Sequence, residues 1–477
     1  MHILFVAAEF APLVRTSGLA DMTAALVHAL RALGHDVRVV IPRYRCLRPV
    51  NAIQERPLAA AFLPVGERQE QLRIFHTQSN GVPLYQLDIP AAFERETIYG
   101  DVDDDRRFLL FARGVLALML HLRDVDGWRV DVVHTIDWQS ALVPNYLKTY
   151  YHYTFGGIAS VHTIRDLSAQ GIFNQFSLYL SGLSDGGMVE TSVGLPGDRF
   201  NFMARGLLFA DVISTVSPTH SLEMLRPEGG VGLHHLLQTR HERLAGIING
   251  IDTIRYNPET DPFIAANYTV HNSTGKHMCK AALQQECGLA ADGARPLIGM
   301  IGPLTPQYGA DLAALALPWL IAHTDAQLII LGSGDAVIER RFAEQAARTP
   351  ERICVQTDVN EVSVQRIYAG CDICLFPACA EPGGDKHLIA LCYGSVPVVR
   401  AAGSMNDTVR EGYDGNGFRF HHHSEGELID ALHRCLTSFQ DVQSWRQIQA
   451  RGMAEDNSWA ASAREYVALY DWARRFV

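Results

Sequence analysis

Polar and glycine residues recur in this chain where an apolar, strand-like run gives way to a helix. An open parallel sheet gathers its ligands beyond the carboxyl ends of its strands, so these are the places to look for chemistry. In "VRTSGLAD", Gly18 permits close backbone approach, Arg15 brings a positive charge, and Asp21 falls in the first turn of the following helix. In "HTIDWQSAL", Asp137 ends a strand and begins a helix, as an acidic N-cap or as a ligand contact. In "SVHTIRDLSAQGIF", His162 stands at a strand end, where an imidazole is either packed or catalytic. In "FPACAEPGGDKHLIALCYGSVPVV", Glu381 precedes Pro382, Gly383 and Gly384. A carboxylate just ahead of a glycine-rich helix start can hydrogen-bond sugar hydroxyls while bare backbone amides hold a phosphate.

One further turn, "IGPLTPQYGADL" at residues 301–312, has the shape of an anion cradle. Its glycines and prolines sit between a strand and a helix, yet it carries no lysine or arginine.

The elements that must position these residues follow an α/β pattern. "HILFVAAE", "LADMTAALVHALRALG" and "DVRVVIP" read as β-α-β, with Gly34 where a helix C-cap belongs. "VDVVHTID", "GIASVHT", "DVISTVS" and "LAGIINGID" are further strands. A second series, "PLIGMIGPL", "AQLIILGSGD", "RICVQTD", "DICLFPA" and "VPVVRAAG", begins after residue 290. Continuous apolar strands suit parallel sheets covered on both faces. The fold class is therefore α/β, with two doubly wound Rossmann-like domains facing a cleft, residues 1–252 and 253–477. The stretch "NPETDPFIAANYTVHNSTG", rich in Pro, Asn and Thr, reads as the linker.

Composition narrows the function. The net charge is −11 without a basic block, which argues against nucleic acid and anionic membrane as partners. An anionic substrate would meet a repulsive overall field, so its site needs local cations or helix N-termini. The nine cysteines are scattered; Cys371, Cys374 and Cys379 lack the four-ligand spacing of a zinc site and read as buried free thiols of a reducing, cytoplasmic compartment. The N-terminus "MHILFVAAEFAP" lacks a basic leader and is interrupted by Glu9 and Pro12, so it reads as a first strand. The histidines 421–423 read as a polar loop.

Taken together, the two Rossmann-like halves, the glycine turn after the first strand and the late Glu-Pro-Gly-Gly resemble the bacterial glycogen synthase and starch synthase family. So do "INGID" with Asn249 and Asp252, "YNPETDP", "VSPTHSLEM", "YGSVPVVRAAGSMNDTV" and "NSWAASAREYVALY". The resemblance covers nearly the whole chain and implies a GT-B retaining glucosyltransferase of glycosyltransferase family 5. It implies transfer of glucose from ADP-glucose to the non-reducing end of an α-1,4-glucan, without metal or other cofactor. It places the final helix, about residues 456–477, back on the first domain. It further implies that Asp21 serves the nucleotide-sugar side, that Arg15, Gly18, Asn249, Gly383, Gly384 and Lys386 bind substrate, that Asp137 binds the acceptor sugar, and that His162 and Glu381 flank the transferred glucose. The diphosphate would rest on backbone amides plus two cations.

The family writes the opening turn as Arg-Leu-Thr-x-Gln-Lys-Gly. Here Pro303 replaces the arginine and Tyr308 the lysine, and proline removes even the backbone donor. Nearby, Ser17 replaces a glycine while Arg15 keeps the charge. Gly383, Asp385 and Lys386 replace cysteine, leucine and a hydroxyl residue, and Thr163 replaces an asparagine at the head of a longer loop. Two lost charge-assisted hydrogen bonds would cost roughly 3–6 kcal/mol, about 10²–10⁴-fold in transition-state stabilisation. Three functions fit. The chain is an active synthase in which Arg15 and Lys386 partly replace the missing cations, a transferase with another donor or acceptor, or a non-catalytic relative that binds glucan or regulates an active synthase.

Overall fold

The apolar runs become parallel strands. The computed structural model describes residues 1–47, 56–183, 199–379 and 383–477. They form two units, residues 1–248 with 459–477, and residues 249–458.

In the first unit the described residues build one nine-stranded sheet. Its order is Leu244–Gly246, Val212–Thr215, Ala159–Ile164, Val132–Ile136, His2–Val6, Asp36–Pro42, Val82–Asp88, Arg68–Ser79 and Ala59–Val65. The first seven strands run parallel, and the last two add an antiparallel edge. Ile3 to Val6 are buried residue by residue, which is why they read as an unbroken apolar run, and Val132 to Ile136 are equally buried although they include His134 and Thr135. Ala59–Val65 instead alternates in burial, as an edge strand with one wet face does.

Helix Gly18–Ala32 starts at Ser17, whose hydroxyl accepts from the Leu19 amide, and ends before Gly34, whose φ of +86° closes it. Its neighbour is the last helix, Trp459–Ala473. Ala463, Tyr466 and Tyr470 on that helix are fully buried, and the Tyr470 hydroxyl lies 2.7 Å from His134 Nδ1.

The second unit holds a six-stranded, wholly parallel sheet among its described residues. Its order is Ile353–Gln356, Gln327–Leu331, Leu297–Ile301, Ile373–Phe376, Val396–Arg400 and Phe418–Phe420. Residues 257–275, expected as a linker, pack inside this unit. Tyr268 and Asp261 are buried there, and the Tyr268 hydroxyl donates to the Tyr393 carbonyl at 2.9 Å. The Asn and Asp of the stretch close local turns, Asn257 Oδ1 accepting from the Glu259 amide and Asp261 Oδ1 from the Phe263 amide. That composition marks tight turns as readily as a flexible connection. Cys371 and Cys374 are buried, and all nine cysteines are free thiols.

Candidate functional site

The first strand delivers the turn at residues 15–18. Glu9, fully buried just beyond that strand, accepts hydrogen bonds from the amides of Thr16 (2.6 Å) and Ser17 (3.0 Å), the Ser17 hydroxyl (2.9 Å) and the Tyr99 hydroxyl (2.8 Å). Ser17 thus caps its helix and ties the turn to Glu9 at once, which gives a physical role to the serine at this position. Among the described residues a Cβ added at Gly18 would meet nothing within 4 Å, so no contact with them demands glycine there. Arg15 Nε pairs with Asp21 Oδ2 at 2.9 Å, and both side chains are more than half exposed. Such a pair is weak in water, and Arg15 can exchange it for a stronger anion.

Asp137 and His162 come from neighbouring parallel strands, with Thr135 opposite His162 in the register. Asp137 is not an N-cap. It is the first residue of a short helix and sits at φ +54°, the left-handed region that costs a non-glycine residue on the order of 1–3 kcal/mol. Its carboxylate is 4% exposed and faces Arg165, accepting from the Arg165 amide at 2.9 Å and from its Nε at 3.3 Å. Burial pushes the carboxyl above the usual range, and Arg165 pulls against that shift. Arg165 belongs to the longer loop after His162.

His162 lies in strand Ala159–Ile164. Its ring is fully buried among Thr135, Met203 and Gly206. Nδ1 lies 2.9 Å from Thr135 Oγ1, and burial pushes the pKa down to about 3. This imidazole is neutral and enclosed. Thr163 is also internal, with Oγ1 2.6 Å from His134 Nε2 and 2.6 Å from Ser214 Oγ.

In the second unit the turn at residues 302–309 is tightly held. Leu304 donates to the Ser333 carbonyl, and Cys379 donates to the Gln307 carbonyl, both at 2.9 Å. Gly309 (φ +72°) allows close packing, because a Cβ there would fall 2.1 Å from the Pro377 carbonyl oxygen. Pro303 is exposed and Tyr308 half-buried. Lys386, the first residue of helix Lys386–Cys392, reaches this turn. Its Nζ lies 5.3 Å from the centre of the Tyr308 ring and 3.2 Å from where a Cβ on Gly302 would stand. The turn that lacks a cation in its own sequence therefore has one beside it, over an aromatic face.

Gly383 and Gly384 lead into that helix and are braced from two sides. Asn249 Nδ2 donates to the Gly383 carbonyl and Ser404 Oγ to the Gly384 carbonyl, each at 3.2 Å. Arg400 Nε donates to the Ala378 carbonyl at 2.9 Å. Glu381 lies outside the described residues. The histidines 421–423 form an exposed stretch, where His423 Nδ1 lies 3.3 Å from Cys379 Sγ. Among the described residues no group of three or more His, Cys, Asp or Glu side chains could hold a metal ion.

Residues 2–239 match the family model described as the starch synthase catalytic domain, and residues 295–438 match glycosyl transferases group 1. The glycogen synthase of Anaeromyxobacter dehalogenans is 39% identical, over 98% of each chain. The chain belongs to the glycogen and starch synthase family. The glycogen synthase of Geobacillus stearothermophilus is 35% identical over 99% of this chain and 97% of its own. Among solved structures, the catalytic domain of starch synthase IV from Arabidopsis thaliana, bound to ADP and acarbose, aligns over 99% of both chains with a TM-score of 0.83 at 30% identity. A sucrose-phosphate synthase from Thermosynechococcus elongatus shares the fold alone, with a TM-score of 0.59 at 15% identity over 99% of this chain and 98% of its own. This family member is a glycosyltransferase with the GT-B fold.

Sequence reasoning passed over Glu9 and Arg165. Glu9 had a visible signal, an acid directly after an apolar strand and a few residues ahead of a glycine turn. Arg165 had none, because its pairing with Asp137 crosses between strand ends.

Proposed function

We propose that this protein is an active synthase that transfers glucose from ADP-glucose to the non-reducing end of an α-1,4-glucan, with Lys386 supplying the cation that its donor turn lacks. The observation that carries this reading is the placement of the Lys386 ammonium beside Gly302 and Tyr308. The leaving diphosphate gains charge as the glucosyl bond breaks, so a preorganised cation there acts on the transition state more than on the ground state. Asn249 and Ser404 hold the Gly383–Gly384 backbone in place for the same ligand. Glu381 would face the transferred glucose, and Arg15 would add a second cation by leaving Asp21. Asp137 would bind the acceptor sugar, with Arg165 fixing its orientation, and His162 would contribute only main-chain contacts. Its nine free thiols support a reducing, cytoplasmic location.

A second reading rests on Pro303 and Tyr308: a non-catalytic relative that binds glucan and associates with an active synthase. The test is incorporation of labelled glucose into glycogen from ADP-glucose by the wild type and by Lys386→Ala. The synthase reading expects turnover that falls about 10²-fold in the variant, the loss of one ion contact of ~2–3 kcal/mol. No incorporation by the wild type, with glucan still bound, favours the second reading.

A further inference from the structure

Glucosyl transfer leaves two half-buried thiols of the second unit without a role, Cys287 and Cys354. Cys287 closes helix Thr274–Glu286, and Cys354 lies in Ile353–Gln356, the edge strand of the parallel sheet. Hydrogen bonds on both sides of the pair hold the two segments together. The Ala290 amide donates to the Glu351 carbonyl at 3.0 Å, and Gln327 Nε2 donates to the Ala290 and Glu351 carbonyls at 2.7 and 3.3 Å. Further along the strand, Gln356 Nε2 lies 3.6 Å from Cys287 Sγ. Residues two apart on a strand share a face, so this contact puts Cys287 on the face that carries Cys354. The two thiols share a hydrogen bond there.

That hydrogen bond splits the roles of the pair. It holds the Cys354 thiol below its usual pKa and pushes Cys287 up, with burial adding to the rise. Glu286 opposes ionisation of either sulfur. A sulfur whose ionised form accepts a hydrogen bond is the better nucleophile, and its protonated neighbour is placed to resolve what it forms. Cys371 also acts on Cys287, but it is fully buried and out of reach of a dissolved reagent.

We infer that Cys287 and Cys354 form a reversible disulfide under oxidising conditions, with a low-molecular-weight disulfide such as glutathione disulfide as the oxidant. The Cys354 thiolate attacks one sulfur of glutathione disulfide, whose S–S bond breaks, and one glutathione leaves. Cys287 then loses its proton, its sulfur attacks Cys354 Sγ, and the second glutathione leaves. Two protein thiols are oxidised, one glutathione disulfide is reduced, and the two protons end on the two glutathiones. The new bond closes a loop over residues 288–353, which contains the donor turn at 302–309 and helix Ala310–His323. A cross-link across so long a loop removes freedom from the unfolded chain, so the oxidised form is the more stable.

The test is incubation of the full chain with excess glutathione disulfide, then peptide mapping by mass spectrometry and thermal unfolding, each with and without dithiothreitol. The wild type is compared with Cys287→Ser and Cys354→Ser. The wild type is expected to give linked peptides holding Cys287 and Cys354 and a melting temperature raised by about 5–15 °C, both reversed by dithiothreitol. Neither variant should show the link or the rise. Cys287→Ser, left with the nucleophile but no resolving thiol, should retain one glutathione on Cys354. The mapping is read on the wild type, so it decides the matter even where a variant folds poorly. Four results would overturn the inference: no linked peptides in the wild type; Cys287 linked to Cys371 instead; a raised melting temperature that survives in Cys287→Ser; or a linked protein that melts where the reduced one does.

Discussion

Returning a lysine to position 308 should not restore what the family turn has, because Lys386 stands in the way. The Lys386 ammonium lies 5.3 Å from the centre of the Tyr308 ring, so a lysine at 308 would bring a second ammonium within about that distance. At an effective dielectric of ~20, two charges about 5 Å apart repel by roughly 3 kcal/mol. A regained charge-assisted hydrogen bond to a phosphate is worth ~1.5–3 kcal/mol, so the two effects nearly cancel. Removing Lys386 at the same time removes the repulsion. Tyr308→Lys alone is therefore expected to change ADP affinity by less than about threefold, within ~0.7 kcal/mol of nothing. In a Lys386→Thr background the same change should raise affinity about 10- to 100-fold, and the gain should shrink with added salt. Calorimetry with ADP and kcat/KM for ADP-glucose across the four proteins close the cycle. Equal gains with and without Lys386 would refute the claim that the two positions serve one phosphate.

Two further outcomes probe the first unit. Glu9→Ala should lower the unfolding free energy by about 3 kcal/mol in urea titration, since it removes a buried carboxylate that accepts four hydrogen bonds, and Glu9→Gln should recover part of that; a neutral Glu9→Ala would show that the turn does not depend on it. Burial raises the Asp137 carboxyl, so the folded chain holds that proton more tightly than the unfolded chain does, and wild-type stability is lost as pH rises through the unfolded value, about 3.9, toward the folded one. Asp137→Asn should therefore gain in melting temperature relative to wild type between pH 4 and pH 7, on the order of a few degrees, while its KM for maltooligosaccharide rises about tenfold, one contact's worth. A relative stability that falls over that range, or an unchanged KM, contradicts this account of Asp137.

The parallel strands were legible because burial on both faces leaves an unbroken apolar run, as at residues 3–6 and 297–301. The antiparallel edge at Ala59–Ser79 was not, because Ala59–Val65 alternates in burial without alternating in polarity and Arg68–Ser79 mixes polar and apolar residues with no strong period. Residues 257–275 misled by composition, since Asn and Asp in tight turns look like a linker until their hydrogen bonds are seen. In the site, motif positions were readable but side-chain directions were not. His162 sits at its expected strand end and points into the core, which no local pattern reveals. Lys386 was readable as a replacement cation only as an alternative, because its reach to Tyr308 depends on how two loops, some 80 residues apart, meet. Glu9 was noticed only as a break in an apolar leader, although four hydrogen bonds converge on it.

A crystal structure of the wild-type protein with ADP tests the central claim most directly. The account predicts Lys386 Nζ about 2.7–2.9 Å from a diphosphate oxygen, the usual length for an ammonium on such an anion, with the 302–309 turn unmoved. A diphosphate bound with Lys386 still resting on Tyr308 and no cation of the second unit against it would contradict the account.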